Sequence, residues 1–245
     1  MGGTGVKIAA LPGGRFVAAG YAVSGDGYDA DKAAVWDPSC PARPVCEYTG
    51  YTNSVICVAS LPENLVASGS ADRNVHIWKA DTGAHVATLQ GHTSRVYALT
   101  VLSDGHLASG SGDNTVRLWD VSNPTSAPAP RVLQHGGNVV ALAALDGGIL
   151  ASGCWDGKVY LWDVKSAGEM PMALLEGHTD RVESLAALPR GLLASGSFDK
   201  TVRLWNVAAR TCVEVLHGHS GYVGALAALP DGRLASGDKR GELRP

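Results

Sequence analysis

Short apolar stretches, a few residues each and separated by glycine-rich turns, fill nearly the whole chain. One stretch shows the pattern well. Val182-Glu183-Ser184-Leu185-Ala186-Ala187-Leu188 is mostly apolar, Pro189-Arg190-Gly191 is a turn signal, residues 192–197 form a second apolar segment, and Phe198-Asp199-Lys200 is a second turn. Thr201-Val202-Arg203-Leu204-Trp205 then alternates polar and apolar, the period-two signature of a half-buried strand. Cys212-Val213-Glu214-Val215-Leu216 follows as a fourth segment. A helix is a poor alternative, because glycines recur within a few residues of every apolar patch and each costs a helix about 1 kcal/mol relative to alanine. The pattern predicts four short antiparallel strands.

That unit repeats. Val66-Ala67-Ser68-Gly69 returns as Leu-Ala-Ser-Gly at 107–110, 150–153, 193–196 and 234–237, in steps of 41, 43, 43 and 41 residues. A weaker copy, Val17-Ala18-Ala19-Gly20, precedes them. Tryptophan keeps the same beat at Trp36, Trp78, Trp119, Trp162 and Trp205. The phrase-to-Trp distance is 12 residues in four copies and 19 in the first, which therefore carries a seven-residue insertion around 21–31, between its second and third strands. The expected units span approximately 1–50, 51–90, 91–134, 135–176, 177–217 and an incomplete 218–245, in which Gly241-Glu242-Leu243-Arg244 matches Lys200-Thr201-Val202-Arg203 and no Trp follows. Four strands at this period is the arithmetic of a propeller blade. The abrupt ends suggest a fragment of a larger propeller, with a tight six-bladed ring or closure by a partner chain as alternatives.

With Gly91-His92, Gly177-His178 and Gly218-His219, then Asp113, Asp156 and Asp199, and the pairs Trp36-Asp37, Trp119-Asp120 and Trp162-Asp163, the chain resembles the WD-repeat family over essentially its whole length. The resemblance implies an all-β propeller of four-stranded blades, five full and a sixth truncated. It also implies a buried hydrogen-bonded network in each blade: His92, Ser109, Asp113 and Trp119; His135, Ser152, Asp156 and Trp162; His178, Ser195, Asp199 and Trp205. The physics agrees, since a buried carboxylate and indole N–H are costly unless paired. Asp156→Ala is accordingly expected to cost on the order of 1–3 kcal/mol, and Asp26→Ala almost nothing. The second unit departs from the pattern with Tyr51 at the His position beside Ser68, Asp72 and Trp78; the first has Ala19 at the Ser position; the sixth keeps His219 and Ser236 but has Arg240 at the Asp position. Ser, His and Asp also suggest a hydrolase triad, but three copies at one phase fit a structural role, and no Gly-x-Ser-x-Gly elbow accompanies them.

In this family the binding face is made by the turn before the Asp and by the start of the inner strand. The matching positions are Arg95, Tyr97, Trp155, Arg181, Glu183, Phe198 and Tyr222. Trp, Tyr and Arg dominate interface energetics. Trp155 and Phe198 sit at turn tips where other units have Ala71, Gly112 and Lys239, so the fold does not demand a ring there. They are expected to be exposed and on one side; the alternative is rings lying flat as local packing. The first unit's insertion is expected to wall the same face.

Composition narrows the rest. The formal net charge of −3 over 245 residues removes the case for nucleic acid or a membrane surface, both of which reward a positive surplus. Cys40, Cys46, Cys57, Cys154 and Cys212 cannot all pair, and show no metal spacing, which suits buried or turn residues in a reducing compartment. No targeting signal stands out near Lys7, Val6 occupies the myristoylation Ser/Thr position, and no apolar run is membrane-length, so the expected location is cytoplasmic or nuclear. Asp26-Gly27-Tyr28-Asp29-Ala30-Asp31 lacks the order and terminal Glu of a calcium loop and reads as a solvated turn; residues 124–130 read as a Pro-rich loop between the third unit's third and outer strands. No catalytic residue, metal ligand or cofactor site is expected. The function that follows is a non-catalytic scaffold binding peptide segments or domains of other proteins, in a multiprotein complex. A narrower alternative is the substrate-recognition module of a ubiquitin-ligase or ubiquitin-handling complex. A propeller enzyme would need carboxylates or metal ligands converging once, and the sequence offers no such set.

Overall fold

The computed structural model describes residues 7–22, 28–166, 168 and 170–244, with backbone alone for 20–22 and 28–31. The described strands form six antiparallel sheets, each read in chain order. The first holds β1 (Lys7–Ala10), β2 (Phe16–Ala22), β3 (Tyr28–Trp36) and β4 (Cys46–Tyr48). The second holds β5 (Val55–Leu61), β6 (Leu65–Ser70), β7 (Val75–Lys79) and β8 (His85–Leu89), and the third β9 (Val96–Val101), β10 (Leu107–Ser111), β11 (Thr115–Trp119) and β12 (Arg131–Gln134). The fourth holds β13 (Val139–Leu145), β14 (Ile149–Cys154), β15 (Val159–Asp163) and β16 (Ala173–Leu175), and the fifth β17 (Val182–Leu188), β18 (Leu192–Ser197), β19 (Val202–Asn206) and β20 (Thr211–Leu216). The sixth has three strands, β21 (Val223–Ala228), β22 (Leu234–Asp238) and β23 (Leu243–Arg244). Among the described residues no helix is long and apolar enough to cross a membrane.

The chain divides into two compact units. One comprises 1–101, 105–113 and 117–131, and the other 102–104, 114–116 and 132–245. In the first, β1 lies beside β5 and β5 beside β9; in the second, β13 lies beside β17 and β17 beside β21. Within each unit, neighbouring sheets enclose apolar cores. Ala59, Ile77, Leu89, Val96 and Leu107 pack with Trp119 in the first unit, and Ala151, Leu161, Leu175, Val182 and Leu193 pack with Trp205 in the second.

The repeated Leu-Ala-Ser-Gly phrase follows from this packing. The second strand of a sheet is covered on both faces, so all four residues of 193–196 are buried. Its glycine makes room for the next sheet. A Cβ on Gly69, Gly153 or Gly196 would come within 2.5–2.8 Å of an atom already in place, among them a methyl of Val96, Val182 or Val223 on the neighbouring inner strand. A bulge follows that valine on the inner strand, between Val182 and Ser184 in the fifth sheet and between Val223 and Ala225 in the sixth. It turns the strand's first residues toward the adjacent turn.

The insertion of the first unit lengthens two strands. β2 and β3 stay paired out to Tyr21↔Asp29 and Ala22↔Tyr28. Residues 23–27, and with them Asp26 and Gly27 of the acidic stretch, lie outside the described residues, as do residues 1–6. All five cysteines are free thiols; Cys57 and Cys154 are buried and Cys40 is exposed.

Candidate functional site

The His–Ser–Asp–Trp network forms as expected in the third and fifth sheets. Trp205 Nε1 donates to Ser195 Oγ at 2.7 Å, His178 Nε2 lies 2.7 Å from the same hydroxyl, and His178 Nδ1 lies 2.7 Å from Asp199 Oδ2. Trp119, Ser109, His92 and Asp113 repeat the chain with all three contacts at 2.8 Å. One proton arrangement satisfies every group: indole N–H to serine oxygen, serine O–H to Nε2, and Nδ1–H to carboxylate. The imidazole is then neutral, and burial holds both His92 and His178 below the ordinary histidine pKa, against the opposing pull of Asp113 and Asp199. Burial alone would raise the Asp199 carboxyl. The Thr201 hydroxyl and N–H, with His178, outweigh it and leave the group below the usual carboxylate value.

The fourth sheet departs from the expected set. His135 Nε2 meets Ser152 Oγ at 2.7 Å, and Trp162 Nε1 donates to both at 3.2 Å, but His135 Nδ1 turns to the Leu133 carbonyl at 3.1 Å. Asp156 is not its partner. The exposed Asp156 carboxylate accepts instead from the Tyr160 hydroxyl (2.7 Å) and the Lys158 N–H (3.0 Å). The reason is local: Tyr160 lies two residues before Trp162 and its ring, 4.7 Å from that of His135, fills the gap between imidazole and carboxylate. The expectation for Asp156→Ala changes with it. Asp199→Ala, which strands His178 and three local donors, is expected to cost about 2–3 kcal/mol, against about 1 kcal/mol or less for Asp156→Ala. Urea midpoints of the two variants test this, and equal losses would contradict it.

Two other sheets use further substitutes. In the second, Tyr51 O–H donates to Ser68 Oγ at 2.6 Å, Trp78 Nε1 also donates there at 3.0 Å, and Ser68 passes its proton to the His76 carbonyl at 3.3 Å. A phenol donor in place of an imidazole acceptor thus reverses the serine. Asp72 is met by His76 at 3.0 Å, again from two residues before the Trp. In the sixth, Arg240 does not replace the missing Asp. Asp238, two residues earlier, lies 3.6 Å from His219 Nδ1 and accepts from the N–H groups of Gly221, Arg240 and Glu242. His219, Asp238 and Glu242 place three potential metal-ligand atoms within 4.8 Å of one another, but these carboxylates already serve backbone N–H groups and Arg244.

The position two before Trp tracks the Gly-His dipeptide. Arg117, Arg203 and Arg244 lie over Gly91, Gly177 and Gly218, so closely that a Cβ there would fall 2.7–2.9 Å from the guanidinium. In the second and fourth sheets, where Gly-His is absent, the same position holds His76 or Tyr160 and the ring takes charge of the Asp; in the first sheet it holds Ala34.

The candidate face is built on two backbone rules. Within a sheet, the first turn residue after the second strand bonds to the residue preceding the inner strand: Phe198 N–H to Arg181 O (3.0 Å), Lys239 N–H to Tyr222 O (3.1 Å). Between sheets, the turn of one lies beside the inner-strand start of the next. Side chains therefore line up in the order Trp155, Arg181, Phe198, Tyr222, Lys239. The Arg181 guanidinium sits 4.9 Å from the Trp155 ring and 3.7 Å from the Phe198 ring; Phe198 and Tyr222 stack at 3.9 Å and 8°; Lys239 Nζ lies 5.4 Å from the Tyr222 ring. Each cation–ring contact contributes on the order of 0.5–2 kcal/mol, enough to fix the order of the ladder. Trp155 is 44% exposed, whereas Phe198 and Tyr222 are half-buried by each other, less open than the sequence suggests. Glu183 is half-buried on β17, outside the ring contacts. Lys239, at a turn position that carries no ring, extends the ladder. Arg95 and Tyr97 belong to the first compact unit: Arg95 is exposed and accepts the Gly112 N–H at 3.0 Å, and Tyr97 is half-buried, its ring packed so close to Gly112 that a Cβ there would lie 3.1 Å away.

Comparison with known proteins adds two findings. The family model described as WD domain, G-beta repeat matches residues 42–79, 83–120, 130–163, 169–206 and 210–244, together more than half of the chain. The first sheet, with its insertion and no network histidine, falls largely outside those matches. Among solved structures, the WD40 beta propeller domain of Doa1 superposes with a TM-score of 0.82 at 22% identity, covering 97% of this chain and 77% of that one, a likeness of fold. No curated protein sequence matches. The chain belongs to the WD-repeat family, and its fold is an all-β WD40 propeller fold with five four-stranded blades and a three-stranded sixth.

Proposed function

We propose that the chain is a non-catalytic interaction platform that holds a segment of another protein against the turns of its fourth, fifth and sixth sheets. One observation carries this reading: an exposed tryptophan at a turn tip, backed by a ladder of cations and rings that spans three consecutive sheets. Pre-ordered aromatic and arginine side chains form the anchors of protein interfaces, because they bury much area with little rotamer freedom left to lose. A narrower role as the recognition arm of a ubiquitin-handling complex would use the same residues and differ only in what they hold. The test pairs stability with binding. Trp155→Ala is expected to cost no more than about 1 kcal/mol of folding stability, the worth of one exposed cation–ring contact, while weakening a purified partner by about 1 kcal/mol or more in calorimetric titration. Undiminished affinity in Trp155→Ala and Phe198→Ala together would remove this face from the function.

A further inference from the structure

We propose that Arg181 reads a carboxylate on an acidic peptide segment, with an apolar neighbour of that carboxylate resting on Trp155. The inference rests on the contact role proposed above and names the chemistry of what is held. The guanidinium carbon lies 4.9 Å from the Trp155 ring centroid and 3.7 Å from that of Phe198, so the head group is held against two rings. Its N–H edge is a different matter. Among the described residues it donates to no protein acceptor, and Asp180, its sequence neighbour, spends an oxygen on the Arg181 main-chain N–H at 2.7 Å. A guanidinium held against two rings, with no acceptor on its N–H groups, is a preset two-pronged donor whose fork matches a carboxylate.

The charges around it point the same way. Lys200, Lys239 and Arg240 are exposed on the adjoining turns and none is ion-paired among the described residues. The acids on those turns are committed: Asp156 to Tyr160 and Lys158, Asp199 to His178 and Thr201, Asp238 to three backbone N–H groups. Those three carboxylates are engaged by local donors, whereas Arg181, Lys200 and Arg240 keep their own donors open, although the whole chain carries −3. Trp155, 44% exposed, supplies the apolar half of the surface. A peptide suits this better than single-stranded nucleic acid, because Phe198 and Tyr222 are taken by one another and by Arg181 and Lys239, leaving Trp155 as one open ring where successive stacked bases need several.

The experiment selects phage-displayed random twelve-residue peptides on the immobilised full chain, then measures each synthetic peptide, and its twin with Gln for Glu and Asn for Asp, by fluorescence anisotropy. Expected peptides contain an acidic residue beside an apolar one, and their amide twins bind about tenfold more weakly to the native chain. Against R181Q, acid and amide forms should bind alike. R181K, which keeps the charge and loses the fork, should lose several-fold, and R181M, which keeps an aliphatic stem against the rings, should bind like R181Q, with melting temperatures of both variants well above the assay temperature so that lost binding is not lost fold. If peptides need Trp155 but their amide twins bind equally well, the carboxylate assignment is overturned and the contact face stands. If no selected peptide responds to W155A, F198A or R181Q, both fall. A mixed-sequence single-stranded 20-mer that displaces the peptides and needs Arg181 would overturn the assignment in favour of phosphate.

Discussion

Ser195→Ala is expected to destabilise the chain by about 3 kcal/mol, far more than removal of one small hydroxyl suggests. The Ser195 oxygen is fully buried and serves two partners at once, Trp205 Nε1 and His178 Nε2, each at 2.7 Å. Both lie too deep for water to take over, since Trp205 is 2% exposed. Alanine would leave an indole donor and an imidazole acceptor unpaired, and each buried orphan costs about 1–3 kcal/mol. The imidazole, having lost the group that fixes its tautomer, would also hold Asp199 less well. Chemical denaturation followed by tryptophan fluorescence measures the loss, with exposed Ser166→Ala as a control expected within about 0.5 kcal/mol of the native chain. A loss below about 1 kcal/mol would mean that the serine is a bystander.

The same network shows where one-dimensional reading works and where it stops. In the third and fifth sheets each partner was legible from spacing, because the contacts join positions at a constant offset: 17 residues from His92 to Ser109 and from His178 to Ser195. In the second and fourth sheets the acid is reached from the strand beside it, by His76 and Tyr160, and spacing from Gly-His has no access to that exchange. A signal was present: the residue two before Trp is Arg in the third and fifth sheets, where Gly-His is intact, and a ring in the second and fourth, where it is not. Asp238 was missed because it sits two residues early, at the place where the fifth sheet has Ser197. The face was half legible. Its residue types and turn positions could be read, but not that Phe198 and Tyr222 would cover each other or that Lys239 would end the row. Those facts depend on the lateral offset between neighbouring sheets, which sequence periodicity leaves open.

Acid should unfold this chain earlier than its carboxylates alone would dictate. Burial depresses the pKa values of His76, His92, His135 and His178, and His135 falls to about 4. For His135 burial dominates, opposed by the Leu133 carbonyl and by the charge of Asp156. A folded value below the unfolded one, near 6.5, means that the unfolded chain binds protons first. The stability these neutral rings contribute is complete above about pH 6.5 and is lost as pH falls. For His135 the loss runs down to about pH 4 and amounts to on the order of 3 kcal/mol at about 1.4 kcal/mol per unit. The other three add to the slope over the upper part of that window. Asp199 and Asp238, also depressed, stabilise the fold above the ordinary carboxylate range and lose that stabilisation only as pH falls through and below it. Urea midpoints should therefore be level from pH 8 to about 6.5 and fall steeply from about 6 to 4.5. His135→Phe should be less stable at neutral pH but show a shallower decline, since one titrating ring is gone. A flat profile down to pH 4.5 in the native chain would mean that these histidines take up protons in place, and the neutral Nδ1–H network inferred for His92 and His178 would be wrong.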